Sequence, residues 1–270
     1  METGLTGRTV VVTGANANIG RGIALAFAAE GTNVVIVGRD ERRGQQVRET
    51  LLGAGAKDVL WQAADVTDRA QVGAMVAAVL ARFEAIDVLV NNVGGNVDID
   101  AFVDTDPETW QQDIALNLLS TLNCTHAVLP GMIAHGHGRI INIGSTAGIL
   151  GDPLIAVYSA MKGAVHAFSK VLAKEVGKQG ITVNAIAPYG TLPTGSDDVS
   201  SGSRWHANGL FARLGATRRE ELHSIGRRTV LTRQTAYPSE IGAAAVYLAS
   251  DTGAFVTGQV LAIDGGIQLA

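Results

Sequence analysis

The chain has 270 residues, of which 47% are apolar and 33 are glycine, with a formal net charge of −4. A mildly acidic chain of this length can bury a large core and offers no basic surface for nucleic acid or an anionic membrane. One cysteine, Cys124, excludes a disulfide framework or a thiolate metal site, and no uncharged apolar run is long enough to span a bilayer.

The start, METGLTGRTVVVTG, enters a strand without a basic segment and apolar leader, so a soluble cytoplasmic protein is expected. Short β-branched runs then alternate with helical patterns. Strands are predicted at about 8–14, 33–38, 58–66, 86–92, 138–145, 181–188 and 259–266. Helices are predicted over about 20–30, 41–53, 68–83, 107–134, 154–176 and 238–250, with Cys124 as a small core hydrophobe in the fourth. Seven strands buried on both faces imply an α/β fold, a doubly wound parallel sheet in a single domain spanning 1–270. Two segments break the rhythm: 94–106, with four aspartates, and 189–237, whose length suggests a lid over a substrate.

At the first strand-to-helix junction, VVVTGANANIGRG places Gly14, Gly20 and Gly22 where a backbone can approach a pyrophosphate held by a helix N-terminus. In DVTD, Asp65 and Asp68 each suit a helix N-cap, and Asn91 and Asn92 could close a turn. Tyr158 and Lys162 stand four apart in VYSAMKGAVHAFSK and so share one helix face. A buried ammonium beside the phenol would pull the tyrosine below its usual pKa of about 10 and make it a proton donor near neutrality. The bland reading of that pair is the rim of an amphipathic helix. The six histidines show no ligand pair at metal spacing, and no metal is assigned. Seven arginines fall in 204–233, among them Arg213, Arg218, Arg219, Arg227, Arg228 and Arg233; they form a solvated face or recognise a carboxylate, phosphate or CoA group. Trp205 and His206, in the same segment, either line a pocket or anchor the loop.

TGANANIG, NNVGG at 91–95, Asn117, Ser145 and YSAMK resemble, in order and spacing, the TGxxxGxG, NNAG, asparagine, serine and YxxxK motifs of the short-chain dehydrogenase/reductases. The resemblance runs over nearly the full length. It implies a Rossmann-like fold and an NAD(P)-dependent oxidoreductase that interconverts a secondary alcohol and a ketone. Tyr158 would be the general acid or base, Ser145 would orient the substrate oxygen, Lys162 would hold the nicotinamide ribose, and Asn117 would support a proton-relay water. Gly14, Asn18, Ile19 and Gly20 would meet the pyrophosphate, Asp65 and Val66 the adenine, Asn91 the ribose, and Pro188 with Thr191 or Thr194 the nicotinamide. The chain departs from the family in carrying Asn18 at a glycine position and PYGT where the family has Pro-Gly. A catalytically silent cofactor-binding regulator is the rival from another class. Within the enzymes, a 3-oxoacyl thioester reductase and a sugar or cyclic alcohol dehydrogenase would keep the same catalytic set.

VVIVGRD favours NADP(H) over NAD(H). Gly38 occupies the position where NAD enzymes of this fold present an acid, and Arg39 follows it, with Arg42 or Arg43 a turn later. Asp40 and the lack of a basic residue in ANAN pull the other way. The family resemblance also implies a homotetramer. Its interface would involve the helices at 107–134 and 154–176, through Trp110, Ile114, Leu118, Met161, Val165, Phe168 and Leu172.

Overall fold

The computed structural model describes residues 2–195, 198–200, 206, 207, 209 and 229–269. Seven β-branched runs form the strands β1 (Thr9–Thr13), β2 (Asn33–Gly38), β3 (Asp58–Ala63), β4 (Val88–Asn91), β5 (Gly138–Ile143), β6 (Ile181–Pro188) and β7 (Val260–Ile263). They pair in parallel in the order β3-β2-β1-β4-β5-β6-β7. The chain therefore winds outward from β1 to β3, then restarts at β4 and winds the other way, which opens a crevice beyond the carboxyl ends of β1 and β4.

Helices cover both faces because both faces are apolar. Val10 and Val12 of β1 pack with Ile23 and Phe27 of α1 (Asn18–Ala29), Val47 and Leu51 of α2 (Glu41–Gly53), and Ile241 and Leu248 of the helix Pro238–Ala249. Val11, on the opposite face, joins Met75 of α3 (Arg69–Phe83), Cys124 and Val128 of α5 (Ser120–His135), and Leu172 of α7 (Ala156–Val176). Cys124 is fully buried, and burial pushes its thiol up to about 12, as suits a core hydrophobe. Asp68 caps α3 by accepting from the N–H groups of Ala70 and Gln71.

The segment predicted as one helix at 107–134 is interrupted. It comprises α4 (Pro107–Ile114), a π-helical turn at Ala115–Leu119, and α5. A short α6 (Ala147–Leu150) also precedes α7, and Pro238–Ala249, α8, crosses α1 closely. There Gly22 serves packing and not phosphate: a Cβ on it would lie 2.5 Å from Pro238, and it is absent from the crevice wall. Val165 and Leu172 cover the sheet and are withdrawn from any outer face of α7. Among the described residues no helix is long and apolar enough to cross a membrane.

Candidate active site

The crevice is a cleft of about 1710 Å³, and its wall contains Gly14, Asn18, Ile19, Gly20, Arg39, Asp65, Val66, Ser145, Tyr158, Lys162, Pro188 and Thr191. Each projects from the carboxyl end of a strand or the element just after it, so the sheet topology gathers residues up to 177 positions apart.

At the first turn Gly14 has φ +65°, and a Cβ on Gly20 would lie 2.2 Å from the Gly14 carbonyl, so both positions demand glycine. Asn18 takes a left-handed φ of +38° that asparagine tolerates. Its Nδ2 donates to the Thr191 carbonyl at 3.1 Å, which carries the side chain toward the segment after β6. Thr191 lines the cleft, whereas Thr194 donates its N–H and hydroxyl to Asp198. That aspartate pairs with Arg21 of α1 at 2.8 Å. Burial pushes the Asp198 carboxyl up, and the Thr194 hydrogen bonds and the Arg21 guanidinium outweigh it, holding it below the usual carboxylate range.

Asn91 is corrected. Its side chain is buried and donates to Thr125 and to Asn142, outside the cleft wall, while Asn92 lines the cleft and donates to the carbonyls of Thr13 and Gly14. Asn16, which the motif comparison passed over, also lines the cleft; its Nδ2 donates to the Asp40 carbonyl and its buried Oδ1 has no hydrogen-bond partner. Beside it, a Cβ on Gly38 would lie 2.8 Å from the Asn16 amide, so a side chain at 38 would require that amide to move. Arg39 is exposed, with its guanidinium 3.6 Å from Asp65. Partial burial pushes the Asp65 carboxyl up, but hydrogen bonds from Thr67 and the charge of Arg39 bring it below the ordinary value. Arg42 lines the cleft, and Arg43 is turned to the Asn16 carbonyl and Gln46.

At the other end, α7 presents Tyr158 and Lys162 on one face. Lys162 is 3% exposed; its Nζ donates to the Ile143 carbonyl at 2.8 Å and lies 5.7 Å from the Tyr158 ring centroid. Ser145 accepts from the Ala147 N–H on Oγ at 3.1 Å, which leaves its own proton for another acceptor. Asn117 sits in the π turn, fully buried. Its Oδ1 accepts from the Gly95 N–H at 2.7 Å, and its Nδ2 donates to the carbonyls of Gly95 and Asp113. It therefore reaches the cleft through Gly95, which lines the wall, and not by its own side chain. The widened turn gives that side chain access to the 94–95 backbone.

Arg233 forms an ion pair with Glu240 and lies over the Tyr237 ring at 4.3 Å. His206 lines the cleft. Trp205, Arg213, Arg218, Arg219, Arg227 and Arg228 lie outside the described residues. Among the described residues no cluster of potential metal ligands is present.

A strand-end glycine turn opening onto a helix, the buried unpartnered Asn16 Oδ1 beside it and a tyrosine–lysine pair opposite fit a dinucleotide. The family profile described as short chain dehydrogenase matches residues 8–202, and the chain belongs to that family of oxidoreductases. It is 36% identical over 265 residues to the 3-oxoacyl-(acyl-carrier-protein) reductase FabG of Chlamydia trachomatis, covering 97% of this chain and 98% of the relative. It is 34% identical to the D-beta-hydroxybutyrate dehydrogenase of Cupriavidus necator, over 97% and 98% of the two chains. A short-chain type dehydrogenase/reductase from Mycobacterium ulcerans superposes with a TM-score of 0.85 at 27% identity, covering 98% of this chain and 91% of that one.

Proposed function

We propose that this enzyme interconverts a secondary alcohol and a ketone, using NADP(H) in preference to NAD(H). The observation that carries the proposal is the convergence of Ser145, Tyr158 and a buried Lys162 on one wall of the cleft. A bound nicotinamide supplies or accepts the hydride. Addition of hydride to a carbonyl carbon leaves an oxyanion, and the Tyr158 hydroxyl delivers the proton it needs, or removes it in the reverse direction. Ser145 donates its hydroxyl proton to the same oxygen. The Lys162 ammonium favours the phenolate of Tyr158 and offers donors to a ribose. Asn117 holds the backbone of Gly95 beside this group.

NADP(H) is supported by the exposed Arg39, by Arg42 on the cleft wall and by Gly38 standing where NAD enzymes of this fold present an acid. A second reading, reduction of a 3-oxoacyl thioester, is favoured by the name of the Chlamydia relative and by a run of apolar groups on the substrate side: Val97, Ile99, Leu116, Ile155 and Leu192. The same reading treats 1–270 as one catalytic domain with a lid over about 189–237, in a cytoplasmic homotetramer with no nucleic acid or membrane partner. For the tetramer, Trp110, Ile114, Leu118, Met161 and Phe168 are half-buried within the chain and available to a neighbour. Light scattering that shows a monomer at micromolar concentration would refute it.

The test of the activity is a screen of ketones, keto esters, 3-oxoacyl thioesters and secondary alcohols, following the reduced-nicotinamide absorbance with both cofactors in both directions. Turnover of one of these, lost in Tyr158→Phe, supports the proposal. Cofactor binding without turnover of any would favour a silent binding protein.

A further inference from the structure

His166 has no part in the chemistry above, yet it is placed among its residues. It stands four residues beyond Lys162 and eight beyond Tyr158 on α7, which puts all three on one helical face. It is 5% exposed, and its Nε2 accepts from the backbone N–H of Ser145 at 3.5 Å. Two glycines bracket it: a Cβ on Gly144 would lie 2.1 Å from Nε2, and one on Gly148 would lie 3.0 Å from Cε1.

Resting on the roles given above to Ser145, Tyr158 and Lys162, we infer that His166 is a positioning residue that registers the 144–148 segment, and with it the Ser145 hydroxyl, against the helix face presenting Tyr158 and Lys162. The segment that carries Ser145 comes from β5, whereas the tyrosine comes from α7 thirteen residues later. Productive alignment of the two hydroxyls on one substrate oxygen therefore depends on how these elements meet. The segment is held to β6 by the Gly144 and Thr146 N–H groups, which donate to the carbonyls of Ile186 and Pro188. His166 supplies the hold from the α7 side. Its bond to Ser145 is long, so the ring acts by filling the space between the two glycines as well as by accepting.

The protonation state agrees with this role. Burial, together with the charges of Lys162 and Lys170 on the same helix, pushes the imidazole down to about 4, so it is neutral where the enzyme works. A neutral imidazole has one acceptor and one donor nitrogen. With Nε2 accepting from Ser145, the proton sits on Nδ1.

The experiment uses the full-length enzyme, His166→Ala, His166→Gln and Tyr158→Phe, with ethyl acetoacetate and NADPH as probes. Glutamine is the conservative variant because its amide also offers one acceptor and a donor. Misplacing a positioned group by about 1 Å costs on the order of 100-fold, so His166→Ala should lower kcat about 10–100-fold. NADPH affinity and the KM for ethyl acetoacetate should stay within about twofold, because the groups that bind them are untouched. His166→Gln should recover most of the lost rate. In nitrogen NMR of histidine-labelled wild type at neutral pH, His166 should show a protonated Nδ1 and a bare Nε2. Wild-type kcat in His166→Ala alongside an inactive Tyr158→Phe would overturn the inference while leaving the proposed reaction intact. Undiminished turnover in Tyr158→Phe would instead sink the reaction. A protonated Nε2 overturns the clamp, whether or not ethyl acetoacetate is turned over and whether or not His166→Ala folds.

Discussion

Where Tyr158 and Lys162 meet, the polar groups are buried and tied to backbone: Lys162 to the Ile143 carbonyl, Asn117 to Gly95 and Asp113. At the other end of the cleft Arg39, just after β2, stands 70% exposed, in a loose ion pair with Asp65. The two ends follow different physics. A buried network tied to the backbone permits few arrangements and makes any vacancy expensive, which suits a reaction that needs atoms fixed to a fraction of an ångström. An exposed guanidinium is screened by water and salt and contributes a modest preference between ligands. On the proposed reading, geometry would be held rigidly where bonds change, and selectivity between cofactors would rest on a surface charge.

Substitutions at the two ends should differ accordingly. The largest effect is expected from Tyr158→Phe, which removes one proton donor without changing the ring: kcat should fall about 10²–10⁴-fold with NADPH affinity and thermal midpoint nearly unchanged. Near-normal kcat would mean that the rigid end is not the reacting end.

Gly94→Ala comes next. A Cβ there would lie 2.8 Å from the Lys162 Nζ and 2.9 Å from Asn117 Oδ1. Urea unfolding should show a loss of about 1–3 kcal/mol, together with reduced kcat, because the displaced groups have nowhere to go. Gly53→Ala, at the end of α2 with nothing within 4 Å, is the control and should cost nothing.

At the exposed end Arg39→Ala should lower the ratio of kcat/KM for NADPH over NADH about fivefold at low salt, and less as salt rises. An unchanged ratio, or a wild type that prefers NADH, would return Arg39 to the solvated surface.

The smallest effect concerns pH. His166 binds a proton at about 4 in the folded enzyme and near 6.5 when unfolded, so within that window the unfolded state holds more protons and stability falls as pH falls. The difference in thermal midpoint between wild type and His166→Gln should be flat above the window and move against wild type on descending through it. A pH-independent difference would show that the ring is not held neutral.

The sheet was legible because seven apolar runs at α/β spacing leave little choice of topology, and the glycine turn and the Tyr158–Lys162 pair follow from position on it. Three features were not. Asn91 ends a central strand buried on both faces and Asn92 follows it, so alternation says that they point oppositely but not which one meets the cleft. Gly22 sits in the same glycine run as Gly20, yet its neighbour is Pro238, more than two hundred residues away. His166 lies in an apolar helix where a single histidine reads as filler. Its spacing of four from Lys162 was the available signal, and the glycines that make room for it are on another segment.

The π turn at Ala115–Leu119 joins α4 to α5. A π turn closes one residue later than an α turn, so deleting one residue there would let the helix close regularly, with α4 and α5 keeping nearly their present phase and the widening lost. Asn117, which reaches the Gly95 N–H and carbonyl from that widened turn, would be drawn off both. A single deletion in an otherwise intact helix would thus unpin the Gly95 backbone on the cleft wall. Length, as much as residue identity, is therefore constrained between Pro107 and His135.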